Sequence, residues 1–157
     1  MEMKYIYTLS IFFLFFRQEA SSQAKNPVKW HSDIKQINEG RFLLILRATV
    51  ENGWHIYASS QPEGAISIPT HIELDNNIER IGVLKEIGKK EEQRISSDGL
   101  QYYYSGTVNF VQVIRLKEKS IESVKCRVIY MACTEEECLP AKVYSFSISL
   151  KEIDKKN

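Results

Sequence analysis

The segment 130–140, YMACTEEECLP, places two of the chain's three cysteines between two runs that alternate apolar and polar residues. Before it, Val124, Cys126, Val128, Tyr130 and Ala132 fall on one face of an extended chain, and Lys125, Arg127, Ile129, Met131 and Cys133 fall on the other. After it, the final strand is expected to place Tyr144, Phe146, Ile148 and Leu150 inward, with Ser145, Ser147 and Ser149 outward. A period of two on both sides of a short polar break predicts two antiparallel strands joined by a hairpin loop. Val128, Tyr130, Phe146 and Ile148 are then expected to face the core.

The rest of the chain repeats this grammar. Residues 28–31 offer a short strand with Trp30 as a core anchor, and 41–51, rich in Leu, Ile and Val, reads as a strand buried on much of both faces. Asn52-Gly53 marks a tight turn, after which 54–57 returns with polar His55 between large apolar neighbours. The stretch 59–67, with Pro62 and Gly64, reads as a loop. Pro69 stands where a missing N–H is tolerated, at the start of a strand over 70–74. Residues 78–87 give a weaker extended signal, and 107–116 a clear one. The charged stretch 88–99 has no apolar face at helical spacing and is expected to be a long exposed loop. Short strands between turn signals, with no amphipathic helix, predict an all-β antiparallel sandwich.

Residues 1–24 read as a secretory signal peptide: Lys4, an apolar run over 5–16, then Ser22-Gln23-Ala24 with small residues at the −3 and −1 positions of a cleavage site. The run is shorter than the roughly twenty residues that span a bilayer, and no later run is longer. The expected organisation is therefore a signal peptide over 1–24, one domain over 25–150 and a polar tail over 151–157. A formal charge of +1 gives no argument for nucleic acid or an anionic membrane surface as a partner. An exported chain meets oxidising conditions, where a close cysteine pair forms a disulfide.

Cys133 and Cys138 flank a four-residue loop, so they can face each other across the hairpin ladder. Antiparallel neighbours have Cα atoms about 4.5–5.5 Å apart, which overlaps the roughly 4.4–6.8 Å window of a disulfide. Position at a loop tip, within reach of partners, favours thiol–disulfide exchange. A structural staple in a non-catalytic binding module and a metal site, including a soft Cu(I) site of Met131, Cys133, Cys138 and a histidine, remain alternatives from spacing alone. His31, His55 and His71 are scattered. Glu135, Glu136 and Glu137 disfavour a thiolate beside them, so neither cysteine reads as a self-activated oxidant. Cys126 shares its face with core residues and reads as a small buried hydrophobe.

Three segments together resemble a known family. VIYMACTEEECLPAKVYSFSISL, NGWHIYASSQPEGAISIPTHIEL and YYSGTVNF are similar, in that family's order, to the N-terminal domain of the thiol:disulfide interchange protein DsbD. The resemblance covers nearly all of residues 25–157. It implies an immunoglobulin-like domain in the periplasm that passes electrons to thioredoxin-like proteins. It makes Cys133 and Cys138 the redox pair, with Cys138 engaging the partner sulfur and Cys133 resolving. No cofactor is implied. The family continues into a membrane electron carrier and a thioredoxin-like domain, and neither follows Asn157, so a separate membrane carrier is expected to supply the electrons. The family also covers its cysteines with a cap loop bearing an aromatic ring. The corresponding 94–101 here, RISSDGLQ, has none, leaving Leu100 or Tyr102 as substitutes.

Overall fold

In a computed structural model the chain is described over residues 25–95 and 99–151. The expected signal peptide over 1–24, residues 96–98 of the stretch compared with a cap loop, and residues 152–157 of the expected tail lie outside the described residues. The described chain forms strands only: β1 (Val28–Asn38), β2 (Arg41–Val50), β3 (His55–Tyr57), β4 (His71–Leu74), β5 (Ile78–Arg94), β6 (Leu100–Leu116), β7 (Ser123–Tyr130), β8 (Ala132–Cys133) and β9 (Lys142–Ser149). All pairings are antiparallel, as the alternation and short turns require. The larger sheet runs β1-β2-β6-β3-β8 with β5 on the other flank of β6, and the smaller runs β4-β7-β9. This is the expected sandwich of immunoglobulin type. No described helix is long and apolar enough to cross a membrane.

On β7 the inner face is the predicted one, whereas β2, expected to be buried on much of both faces, buries one face and leaves Arg41, Arg47 and Thr49 exposed on the other. Phe42, Leu44, Leu46 and Ala48 on β2 oppose Ile114, Gln112, Phe110 and Val108 on β6, and all are buried. Val124, Cys126, Val128 and Tyr130 supply the facing layer. Trp30 ties the layers together, with ring centroids 5.9 Å from Phe110 in its own sheet and 5.3 and 6.4 Å from Tyr130 and Phe146 in the other. The last two are edge-on contacts, which the aromatic quadrupole favours.

Three further local expectations change. The stretch 88–99 is not a loop: β5 continues to Arg94 and pairs with β6 as far as Arg94↔Leu100. Its far end carries polar side chains, Glu91 and Gln93 half-buried on one face and Glu92 and Arg94 exposed on the other, while its backbone is satisfied by the ladder. Gly88 makes this close approach feasible, since a Cβ there would lie 3.0 Å from the Thr107 carbonyl. Likewise β1 runs on to Asn38, its exposed polar end held by β2. On β9, Phe146 is buried and Ile148 packs against the core, but Tyr144 is exposed, its ring lying 4.8 Å from that of Phe146. The core thins at this edge strand.

Candidate functional site

The β7–β9 ladder holds as far as Tyr130↔Lys142, and there the hairpin changes layers. Met131 interrupts the strand, and Ala132–Cys133 crosses to the larger sheet, pairing Ile56↔Ala132 and His55↔Cys133. The chain then turns back through Thr134–Glu137. The Thr134 hydroxyl accepts from the backbone N–H of Glu136 (3.1 Å) and Glu137 (3.0 Å), while its own N–H donates to the Glu137 carbonyl at 2.8 Å. Threonine thus organises the turn with its side chain, as Ser and Thr do in tight loops. On the return, Leu139 N–H donates to the Ala132 carbonyl at 2.9 Å.

Between these bonds Cys133 and Cys138 form a disulfide, with Cα atoms 4.0 Å apart. Its two ends differ sharply in access. Cys133 has no exposed surface, whereas Cys138 is exposed. The expectation that both cysteines sit at a reachable tip is therefore corrected. Because β8 inserts beside β3, only Cys138 meets solvent.

The environment of Cys133 is aromatic. Directly opposed residues of an antiparallel pair share one sheet face with Cβ atoms about 4.5–5.5 Å apart, so His55 stands beside Cys133. The His55 ring lies 4.7 Å from Tyr103 and 5.3 Å from Tyr57, centroid to centroid. The Tyr57 phenol is raised by burial, against an opposing pull from Gln101, which is itself buried at the start of β6. His55 is itself buried and its Nε2 has no hydrogen-bond partner, an arrangement that costs about 1–3 kcal/mol for a buried polar atom. Burial holds the imidazole below its ordinary range, against the upward pull of the Glu91 and Glu135 carboxylates. The Tyr103 phenol is raised by burial and by the same two carboxylates.

Polar bonds hold β3 in place for this purpose. Ala58 N–H and the Gln61 amide both donate to the Tyr102 carbonyl (2.9 and 2.6 Å), and Gln61 Oε1 accepts from Tyr102 N–H at 2.9 Å. The Gln61 side chain thereby extends a ladder that β3 is too short to complete. Buried Thr70 donates to the Tyr57 carbonyl at 2.6 Å. Tyr102, one of the two residues offered as a substitute for a cap ring, packs against the core. The next residue, Tyr103, is the one beside His55.

The three loop glutamates are exposed and not equivalent. Glu137 pairs with Lys25 at 3.0 Å, whose ammonium also lies 4.5 Å over the Trp54 ring, while Glu135 acts on the His55 cluster. Among the described residues no group of three His, Cys, Asp or Glu side chains is placed to hold a metal ion. His31 is on β1 and His71 on β4, so of the three histidines only His55 adjoins a cysteine. Cys126 is free and buried opposite Phe146 and Leu74, and burial pushes its thiol up to about 11. It has the structural position expected of it.

Fold and site together define an immunoglobulin-type sandwich whose layer-crossing hairpin carries a half-exposed disulfide. Solved structures share this fold. The N-terminal periplasmic domain of ScsB from Proteus mirabilis matches with a TM-score of 0.60 and 14% identity, over 81% of this chain and 48% of that one. The N-terminal domain of DsbD from Neisseria meningitidis, in its reduced form, matches with a TM-score of 0.51 and 17% identity, over 76% of this chain and 84% of that one. The chain thus spans about half the length of the ScsB domain. No protein-family model and no curated protein sequence matches the chain. These neighbours are the type of domain that the three sequence segments resemble, and the likeness is one of fold.

The sequence reading missed the His55, Tyr57, Tyr103 and Gln101 cluster. Its signal was present in part: in His55–Tyr57 the two ring residues alternate with Ile56, which puts them on one face. What the strand opposes is not written there.

Proposed function

We propose that this chain is an exported, periplasmic thiol–disulfide exchange domain that passes electrons through Cys133 and Cys138. The observation that carries the reading is the asymmetry of the disulfide, one cysteine exposed and the other sealed against the larger sheet. Exchange requires one sulfur that a foreign thiolate can reach in line, and a second that is protected while it waits to resolve. A partner thiolate attacks Cys138 Sγ, a new partner–Cys138 bond forms, and the Cys133–Cys138 bond breaks with the electron pair leaving on Cys133. A second partner thiolate then attacks the partner sulfur in the mixed disulfide. Cys138 is released, the partner is oxidised and this domain is reduced. Run backwards, the same steps reduce a partner disulfide. The resemblance to the DsbD domain supports thioredoxin-like proteins as the partners and a membrane electron carrier as the source of electrons.

Trapping tests the assignment. Cys133→Ala should accumulate a mixed disulfide with a thioredoxin-like protein, resolved on a non-reducing gel and located by mass. Cys138→Ala should accumulate little, because its remaining sulfur is buried. The reduction potential, measured by equilibration with a dithiol buffer, should lie above the roughly −300 mV below which structural disulfides resist reduction. A far lower potential together with no trapped complex from either variant would leave the bond a staple.

A further inference from the structure

The His55 imidazole has no evident structural task. A buried histidine kept for packing normally spends its ring nitrogens on hydrogen bonds, yet Nε2 here has none among the described residues. It stands on the strand position opposed to Cys133, the sulfur with no access to water. That sulfur must gain a proton when the disulfide opens and lose one when it closes, and solvent cannot reach it to do either. In the disulfide state there is no S–H to donate, so an acceptor waiting for one would be unpartnered.

We propose that His55 is the proton acceptor and donor of the buried sulfur Cys133, which makes the resolving step of exchange independent of solvent. The inference rests on the exchange reading above. In the closing direction Cys138 is already joined to a partner sulfur. Cys133 S–H gives its proton to His55 Nε2, and the Cys133 thiolate attacks Cys138 Sγ. The Cys133–Cys138 bond forms, the Cys138–partner bond breaks, and the partner sulfur leaves with the electron pair. The imidazolium then gives up its proton to the departing thiolate or to water. Opening is the reverse, with the imidazolium protonating the leaving Cys133 thiolate.

The groups facing His55 suit this cycle. Burial keeps the resting ring neutral and so able to accept, while Glu91 on β5 and Glu135 on the cysteine loop stabilise the imidazolium once it forms. Tyr57 on the same strand and Tyr103 on β6 flank the ring and hold its plane. Both phenols are raised and remain neutral at physiological pH. Glu91 is held by a hydrogen bond from the Ser105 hydroxyl.

The test uses the full-length protein carrying Cys126→Ala, so that only the two exchanging thiols remain. The reduced protein is mixed in a stopped-flow device with 5,5′-dithiobis(2-nitrobenzoate). Cys138 releases one thionitrobenzoate on capture, and Cys133 releases the second on resolution, so the two steps are read separately. With His55 as acceptor, the resolution rate should change less than about threefold between about pH 6.5 and 8, because the rate no longer follows the thiolate fraction of a cysteine of ordinary pKa, about 8.5. His55→Phe, which keeps an aromatic ring, should leave capture within twofold. It should slow resolution by about tenfold or more at pH 6.5 and restore a rise of about tenfold per pH unit. Resolution unchanged in His55→Phe would overturn the proposal. So would a wild-type rate that climbs tenfold per pH unit, a result that decides the matter even if the variant does not fold. Absence of the second release from wild type at any pH would instead overturn the exchange reading.

Discussion

Opening the Cys133–Cys138 bond should weaken the domain by only about 2 kcal/mol and leave it folded. The bond closes a ring of six residues, counting both cysteines. For so small a ring the chain-entropy relation gives about 2 kcal/mol at 25 °C, against nearly 5 for a 100-residue loop. The surrounding structure does not depend on it. The Thr134 turn, the Leu139–Ala132 bond and the β7–β9 ladder are backbone and hydroxyl hydrogen bonds that do not run through the S–S link. The new thiol of Cys133 also finds an acceptor in His55, so reduction does not strand a buried donor. A domain with the usual stability of about 5–15 kcal/mol survives such a loss, as a redox carrier must. Urea denaturation of the oxidised protein and of the dithiothreitol-reduced protein measures it directly. With slopes of about 1–3 kcal/mol/M, the midpoint should fall by about 1 M at unchanged slope. A loss above about 4 kcal/mol, or unfolding on reduction alone, would refute the reasoning and make the bond a staple of the layer crossing.

Other expectations follow from the packing. Phe146→Ala should cost about 3–5 kcal/mol in urea denaturation, because the ring is buried against Trp30. A cost below about 1 kcal/mol would show the β9 register to be wrong. Gly88→Ala should destabilise by about 1–3 kcal/mol, since its Cβ would meet Val108 Cβ at 3.1 Å as well as the Thr107 carbonyl, and an unchanged thermal midpoint would contradict that contact. The Cys126 thiol, raised from 9.0 to about 11, gives a pH dependence of defined sign. Above pH 9 the unfolded chain releases a proton that the folded chain keeps. The stabilisation is therefore full below pH 9 and declines by about 2–3 kcal/mol as pH rises to 11. Comparing wild type with Cys126→Ala over this window isolates the effect, and parallel stability curves would refute it.

The sandwich was legible because the signal is local. Period-two alternation in Val124–Tyr130 and around Phe146 says which side chains share a face, and burying that face requires a second layer. The charged stretch 88–94 was misread for the complementary reason. A strand with polar residues on both its half-buried and its exposed face has no apolar alternation to read, and its pairing with β6 makes it a strand. Tyr144 kept the period of its neighbours, but the core has thinned at that edge and leaves it exposed.

For the site, the sequence by itself made a Cys133–Cys138 disulfide geometrically natural, since residues flanking a four-residue hairpin loop can face each other. It could not determine that the two sulfurs are unequal. That follows from the chain crossing layers at Met131, which seals Cys133 beside β3 and leaves Cys138 in solvent. Nor could it bring His55 to Cys133, a partnership between residues 78 positions apart. β3 and β8 are neighbours in one sheet, and their pairing depends on bonds from residues distant in sequence, such as Gln61 to Tyr102 and Thr70 to Tyr57, that tie β3 down.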